Sequence, residues 1–451
     1  MNVASPSKWT QRVGYGSADF ACNLVWQMIT LYLMFFYTDV MNLSPAQVGT
    51  LFLLTRVIDG VTDVLMGLLI DKTDTKWGKS RPYLLFGSIP FGVFAVLAFH
   101  VPEASPTGML IYAYITYIGL SASYTLVNIP LTSILPSLTG DPQERTVLAT
   151  TRIVFSFVGA TVVGVAAQPM VQRFGGEDSS SGYLITMLIF AIVSVALFVF
   201  TFSTVRERVE VHQKKLSAKD AFSAIKGNHP WMIFALNIVF MWGSYFFQMG
   251  ALIYYFTYNV GDPQLGAIIA GIASFVPIAG TFVTPTLTHF MMKRTVFMIG
   301  SGVNLAGLFF LIAAGDHRNL IIVAAVVTWL GHGLRQAIYF SMQADPVDYG
   351  EWKSGVSAAG LLSSINGFIG KLAMAGSGAV AAWLLTSANY VANQDQTSEA
   401  LFAIKLNYLL IPAGLVILSI ITMCFYRLDK IYPKIRRELD DRHSNSSEKP
   451  A

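Results

Sequence analysis

Apolar stretches long enough to cross a bilayer follow one another along nearly the whole chain, near 16–38, 46–70, 82–101, 108–137, 147–171, 182–204, 230–258, 264–291, 295–314, 319–343, 356–386 and 402–426. A spanning helix needs about 20 mostly apolar residues, and in lipid every backbone N–H and C=O has to be satisfied within the structure itself. A dozen such stretches predict an all-α membrane protein with twelve transmembrane helices. The composition agrees: 54% of the residues are hydrophobic and 12% charged, where soluble chains carry about 25% charged. The formal net charge of +4 is too small to suggest a nucleic-acid partner. Cys22 and Cys424 sit in apolar stretches near opposite ends, which supplies neither a disulfide framework nor a thiolate metal site. The first stretch carries Asp19 and Asn23 and lacks a small-residue cleavage site, so it is expected to stay as the first helix and not to leave as a signal peptide.

The connecting segments alternate in charge. One set is basic, with Lys8 and Arg12, then Lys72, Lys76, Lys79 and Arg81, then Arg145, then six bases between Arg206 and Lys226, then Lys293 and Arg294, then Lys353, and finally a tail running from Arg427 to Arg442. The other set holds only Arg173 and Arg318. Cytoplasmic loops carry the excess of Lys and Arg, so both termini and the long 205–229 segment are expected in the cytoplasm of a bacterial inner membrane. That segment divides the chain into 1–204, a linker at 205–229, a second half at 230–427 and a tail at 428–451, with six spans in each half. Six plus six around a basic loop is the layout of transporters built from two pseudo-symmetric bundles. Glycines within spans, among them Gly280, Gly300, Gly302, Gly307 and Gly376, are expected to let helices pack closely.

The second stretch departs from its apolar neighbours. Arg56, Asp59 and Asp63 stand at i, i+3 and i+7, one face of a helix with Thr62 beside it. A charge at bilayer depth costs about 2.5–3.5 kcal/mol on insertion scales, so it faces a bundle interior or a watery cavity. Two carboxylates one turn apart at low dielectric cannot both ionise unless a cation or a shared proton lies between them. This face reads as a cation site.

Other spans carry polar stripes. Asp19, Asn23 and Gln27 follow at i, i+4 and i+8 in the first, and Tyr124, Asn128 and Thr132 do so in the fourth, with Thr125 adjacent. Asp19 either lines a cavity or ties down the end of its helix, and Thr132 either joins the stripe or bonds its own backbone. Arg152 in the fifth span either faces inward or snorkels to the surface. The tenth span adds His332, Arg335 and Gln336, the histidine being a proton relay or a satisfied hydrogen-bonding residue, and the eleventh adds Asn366 and Lys371. Acids thus come mainly from spans 1 and 2 and bases from spans 5, 10 and 11, an arrangement that suits a cavity binding a cation and a polar solute together. There is no HExxH, no GxSxG elbow and no Walker loop, so no enzyme is indicated.

Five stretches point to one family: Tyr37-Thr38-Asp39-Val40, Arg56-Val57-Ile58-Asp59 with Asp63, Trp77-Gly78-Lys79-Ser80-Arg81-Pro82, Asn128-Ile129-Pro130, and the run from Ala344 through Asp345 and Asp348 to Glu351 and Trp352. Together they resemble the glycoside–pentoside–hexuronide:cation symporters, the melibiose permease group of the major facilitator superfamily, over about residues 10–430. The resemblance implies a cation site at Asp59, Thr62, Asp63 and Thr125 for sodium or a proton, with no further cofactor. Melibiose permease has asparagine at the position of Thr62, which leaves the coupling ion open. It also implies a sugar site at Asn23, Tyr124, Asn128, Thr132, Arg152, Gln336, Asn366 and Lys371, to which the polar residues Asp19, His332 and Arg335 are added from their own place in the spans. Galactoside-recognising members use carboxylates at the positions of Asn23 and Asn128, and tryptophan at those of Thr132 and Gln336. Amides in place of acceptor-only carboxylates, next to retained cations, favour an acidic sugar such as a hexuronide.

The family mechanism implied is alternating access, the cation neutralising the acidic pair and ordering the adjacent sugar site. Asp345, Asp348 and Glu351 are then expected to meet Arg145, Lys293 and Arg294, either as a cytoplasmic gate or as static loop pairs. A neutral glycoside or pentoside remains an alternative substrate. A lipid or lysolipid carrier on the same fold and a non-transporting glycoside receptor remain alternative functions, the second disfavoured by short, uninvolved tails. The protein is expected to work as a monomer among membrane lipids.

Overall fold

The computed structural model describes residues 7–139, 141–176, 178–208, 226–315, 317–355 and 359–447. Most of the 205–229 linker, including Lys214, Lys215 and Lys219, lies outside them. Helix α1 (Lys8–Met28) continues through π turns at Ile29–Leu33 and Phe36–Val40. It is followed by α2 (Pro45–Lys72), α3 (Arg81–Phe86), α4 (Ser88–Ala98), α5 (Pro106–Ser133), α6 (Leu135–Leu138), α7 (Pro142–Gly175) and α8 (Ser179–Thr204). Then come α9 (His229–Tyr254) with a π turn at Tyr255–Asn259, α10 (Pro263–Phe290), α11 (Lys293–Ala313), α12 (Arg318–Met342), α13 (Asp345–Ser354) and α14 (Ala359–Ser387). The chain closes with α15 (Ser398–Lys405), a π turn at Leu406–Leu410, α16 (Ile411–Cys424) and α17 (Leu428–Ser447).

These elements answer to the twelve apolar stretches. Among the described residues, 10 helical segments are long and apolar enough to cross a membrane. The two expected spans that miss this threshold are the first and the second, and the second is the helix interrupted by Arg56, Asp59 and Asp63. Several helices overrun their apolar stretch: α7 has 34 residues, because hydropathy does not register the polar turns at a helix end. Local signals set the starts. Ser44 accepts from the Gln47 N–H, the Gln47 side chain answers the Ser44 N–H, and Pro45 takes the first helical position, which together form a capping box. Ser105 caps α5 ahead of Pro106 in the same way, without the reciprocal side chain.

By backbone proximity the chain divides into two compact units, Met1–His212 with Met249–Phe275 and Gly378–Lys405, and Gln213–Gln248 with Val276–Ser377 and Leu406–Ala451. The division runs through α9, α10 and α14, so the units are not the two halves on either side of the linker.

In the first unit α1 lies tightly against α7. A Cβ placed on Gly159 comes within 2.8 Å of the Phe20 carbonyl oxygen, so only glycine lets the two backbones approach this closely. Two turns back along α7, this approach sets Arg152 opposite Asp19. The same unit holds Asp39, 4% exposed. Tyr390 donates to its Oδ1 at 2.5 Å, Tyr258 donates to the same oxygen, and Thr38 donates to Oδ2 at 2.5 Å. The Asn393 side chain adds a bond to the Asp39 carbonyl at 2.7 Å. The end of α1 is thereby tied to the end of α9 and to the segment after α14.

The second unit packs around Phe234, Ile238, Phe297, Ile338 and Met342, with Phe234 and Tyr339 stacked at 5.2 Å. Close packing through glycine holds at Gly280, Gly300 and Gly307 but not at Gly302 or Gly376, where an added Cβ meets nothing within 4 Å. The tail is not uninvolved. Leu428, Tyr432, Ile435 and Leu439 recur at helical spacing, and Leu428, Ile435 and Leu439 are buried in this core. The Trp352 indole of α13 donates to Glu438 at 2.6 Å. A 3.6-residue apolar period inside a charged segment is what seats α17.

A hydrogen bond to a carboxylate contributes about 1.5–3 kcal/mol. Tyr390→Phe is therefore expected to lower the thermal unfolding midpoint of the purified protein, and Asp39→Ala, which strands several hydroxyls, to lower it further. A Tyr390→Phe midpoint equal to the parent's contradicts this account.

Candidate functional site

Helix α2 carries the acidic face into the interior of the first unit. The Arg56 guanidinium Nη1 and Asp59 Oδ2 are 2.5 Å apart, with side chains 4% and 3% exposed. Arg56 Nη2 donates to the Tyr117 hydroxyl at 2.6 Å, and the guanidinium carbon lies 5.8 Å from the Trp26 ring centroid. The Ser121 hydroxyl donates to the second oxygen of Asp59. One turn on, the Thr125 hydroxyl donates to Asp63 Oδ1 at 2.8 Å. The Thr62 hydroxyl donates to the Asp59 carbonyl at 3.2 Å, so its proton is spent on its own helix while its lone pairs remain available to a cation.

This differs in detail from two carboxylates sharing one ion. Asp59 already has a cation, Arg56, which i, i+3 spacing allows, and Asp63 is bound by a neutral hydroxyl. Thr125, Asp63 and the oxygens around Asp59 are hard donors of the type an alkali ion takes. Among the described residues no group of three or more His, Cys, Asp or Glu could hold a metal ion.

The polar stripe of α1 faces α7. Arg152 Nη2 reaches Asp19 Oδ1 at 3.2 Å, and the Asn23 amide donates to Ser156 at 2.8 Å and to the Asp19 carbonyl at 2.8 Å. Asp19 is thus an ion-pair partner more than an end tether, and Arg152 is turned inward instead of snorkelling. Tyr124 stacks on Trp26 at 5.0 Å with 26° between the rings, a flat aromatic surface of the kind that packs against sugar rings. Asn128 is half-buried, and Thr132 is exposed and bonded to the Asn128 and Ile129 carbonyls of its own helix.

The second unit holds the remaining candidates. His332 and Arg335 are each 1% exposed. Arg335 Nη2 is 3.2 Å from His332 Nδ1, and the imidazole stacks on Tyr245 at 4.9 Å. Both are interior residues of that unit, while Gln336, one position on, is half-buried. Asn366 accepts from the Trp231 indole at 3.1 Å, and Lys371 is half-buried on the same helix. Of the residues expected at a gate, Lys293 and Asp345 pair at 2.7 Å. Asp348 accepts from Tyr432 at 2.7 Å and pairs with Arg436 at 3.5 Å. The Arg294 N–H goes to Asp429 at 2.7 Å, Arg145 donates to the Thr139 carbonyl at 3.2 Å, and Glu351 is half-buried on α13.

Four residues of this region were not singled out in the sequence: Trp26, Tyr117, Ser121 and Ser156. A signal for two of them existed. Tyr117, Ser121 and Thr125 stand at i, i+4 and i+8, the stripe of α5 that faces the charges of α2. Trp26 and Ser156 each lie one turn from a flagged polar residue, with nothing local to mark them.

A succession of apolar helices that hides a small set of charges and amides is a multi-pass membrane protein. Comparison with known proteins gives its family. The sequence model described as MFS/sugar transport protein matches residues 14–430, and the chain belongs to that family, as a multi-pass membrane protein of the major facilitator fold. It is 40% identical to the isoprimeverose transporter of Lactiplantibacillus pentosus, over 97% of this chain and 93% of that one. It is 34% identical to the putative glycoside/cation symporter YagG of Escherichia coli (strain K12), over 95% and 94%. It is 31% identical to the glucuronide carrier protein homolog of the same organism, over 96% of both. The crystal structure of a D-xylose-proton symporter superposes with a TM-score of 0.66 over 94% of this chain and 98% of that one, at 12% identity, which speaks to the fold alone.

Removing the negative charge at Asp63 is expected to abolish gradient-driven accumulation in Asp63→Asn, by about tenfold or more, while solute exchange survives. Asp59→Asn leaves Arg56 buried without its carboxylate, a defect of about 3–5 kcal/mol, and is expected to lower the unfolding midpoint as well. Uptake and exchange in proteoliposomes, with thermal unfolding alongside, separate the two, and undiminished accumulation by Asp63→Asn refutes the assignment.

Proposed function

We propose that this chain is a secondary active symporter of the bacterial plasma membrane that couples entry of a glycoside to one monovalent cation by alternating access. The observation that carries the coupling is the cluster of hard oxygen donors at Asp59, Thr62, Asp63 and Thr125 where α2 meets α5. A cation bound among these oxygens offsets carboxylate charge that is costly at bilayer depth, and so favours the state in which the neighbouring sugar site is complete. Thr125 and Ser121 hold the two carboxylates, and Trp26 with Tyr124 offers the sugar an apolar face. The relatives named as symporters and sugar transporters support this reading. Both ends of the chain are taken to lie in the cytoplasm, and a monomer suffices for the mechanism.

For the solute, the geometry favours a neutral glycoside or pentoside over an acidic sugar. Arg152 is already paired with Asp19, so the base nearest the amides Asn23 and Asn128 is engaged before any substrate anion arrives. The relative at 40% identity, named an isoprimeverose transporter, supports the same choice. A hexuronide is the second reading. It rests on Lys371, on the amides Asn23 and Asn128, and on the relative named a glucuronide carrier protein homolog, and it requires Arg152 to leave Asp19 for the substrate carboxylate.

Proteoliposomes given a sodium or a proton gradient are expected to accumulate isoprimeverose or a methyl pentoside in preference to a methyl glucuronide, by about tenfold. The reverse preference establishes the hexuronide reading, and no gradient-driven uptake of any glycoside removes both.

A further inference from the structure

A cavity of about 420 Å³ lies in the second unit where α11 begins and α16 gives way to α17, away from every residue assigned above to the cation or the sugar. Three bases line it, Arg294, Arg427 and Lys430, with one acid, Asp429. That acid is engaged, accepting the Arg294 backbone N–H at 2.7 Å, where it caps the first turn of α11. The Arg294 guanidinium spends Nη2 on the Cys424 carbonyl at 2.9 Å, and its Nε is buried with no hydrogen-bond partner. The cavity therefore carries an excess of positive charge. Its other wall is apolar, formed by Met298 and Ile299.

The depth of the cavity says what belongs there. It sits at the ends of the spans Lys293–Ala313 and Ser398–Cys424, the level at which acyl chains give way to head groups. Around it Phe290 is 76% exposed, Phe425 64%, Met292 54% and Ile421 49%, so its apolar wall continues into surface that faces lipid. Basic pockets between spanning helices take lipid head groups, and long basic side chains at helix ends reach the interface.

We propose that this cavity is a binding site for one anionic phospholipid, its phosphodiester held by Arg294, Arg427 and Lys430 and its upper acyl chain laid along Met298 and Ile299. A free phosphate has no use for the apolar wall, and a zwitterionic lipid brings an ammonium into an already basic site. The bound lipid bridges the start of α11 to the hinge between α16 and α17, and so fastens the tail helix to its unit.

The full chain in nanodiscs of phosphatidylcholine doped with phosphatidylglycerol tests this. Native mass spectrometry is expected to retain one phosphatidylglycerol in preference to phosphatidylcholine, and the unfolding midpoint to rise with the anionic lipid. At about 1 kcal/mol per basic residue near the surface, Arg427→Gln with Lys430→Gln is expected to weaken retention by about tenfold or more, with an unchanged midpoint in pure phosphatidylcholine. Both residues are exposed, and Lys430→Gln alone, expected at about fivefold, serves if the double variant folds poorly. Inorganic phosphate or glycerol phosphate at matched concentration is expected to produce no shift. Equal retention of the two lipids, equal preference in parent and variant, or a full shift with free phosphate overturns the proposal.

Discussion

A guanidinium and a carboxylate, Arg56 and Asp59, meet at 2.5 Å inside a helix that has to cross lipid. Neither charge is tolerable there alone, and each is the reason the other is affordable. The pair dictates that this face of α2 be turned into its unit, that α5 present Tyr117 and Ser121 to it, and that Trp26 cover the guanidinium. With Asp59 paired to Arg56 on its own helix, Asp63 one turn on is held from α5 by the Thr125 hydroxyl.

The acids of the first two helices illustrate three ways of holding a carboxylate out of water. Asp19 takes a cation from another helix, Arg152. Asp59 takes one from its own helix. Asp39 takes no cation among its described partners and is held by hydroxyls from Thr38, Tyr258 and Tyr390. The first two are ion pairs, which are strong only while both members stay in place. The third is a set of neutral donors that can be remade with other acceptors at smaller cost.

Much of this was legible in advance. The twelve apolar stretches became helices, and the charges of α2 were recognised as an interior face. The stripe on α5 is legible in part: Thr125 and Tyr124 stand beside an amide in the sequence, while Ser121 and Tyr117 on the same face read as small or aromatic residues of an apolar helix. The tail was discounted because its mean composition is that of a solvated segment, although Ile435 and Leu439 repeat at the spacing of a buried stripe. His332 and Arg335 are ionisable groups in a span, and the structure buries both, the imidazole against Tyr245 and Trp329.

The amino-acid sequence by itself determined that this chain is a bundle of membrane helices, where those helices lie, and which residues cannot face lipid. Those properties follow from transfer free energy and helical period, which are sums over neighbours in the chain. Only the tertiary structure decided which partner each buried charge takes. Asp59 with Ser121, Asp19 with Arg152 and Asp39 with Tyr390 join residues scores to hundreds of positions apart, and a hydrogen bond is made or missed within an ångström, a distance set by how helices pack and not by any pattern along one of them.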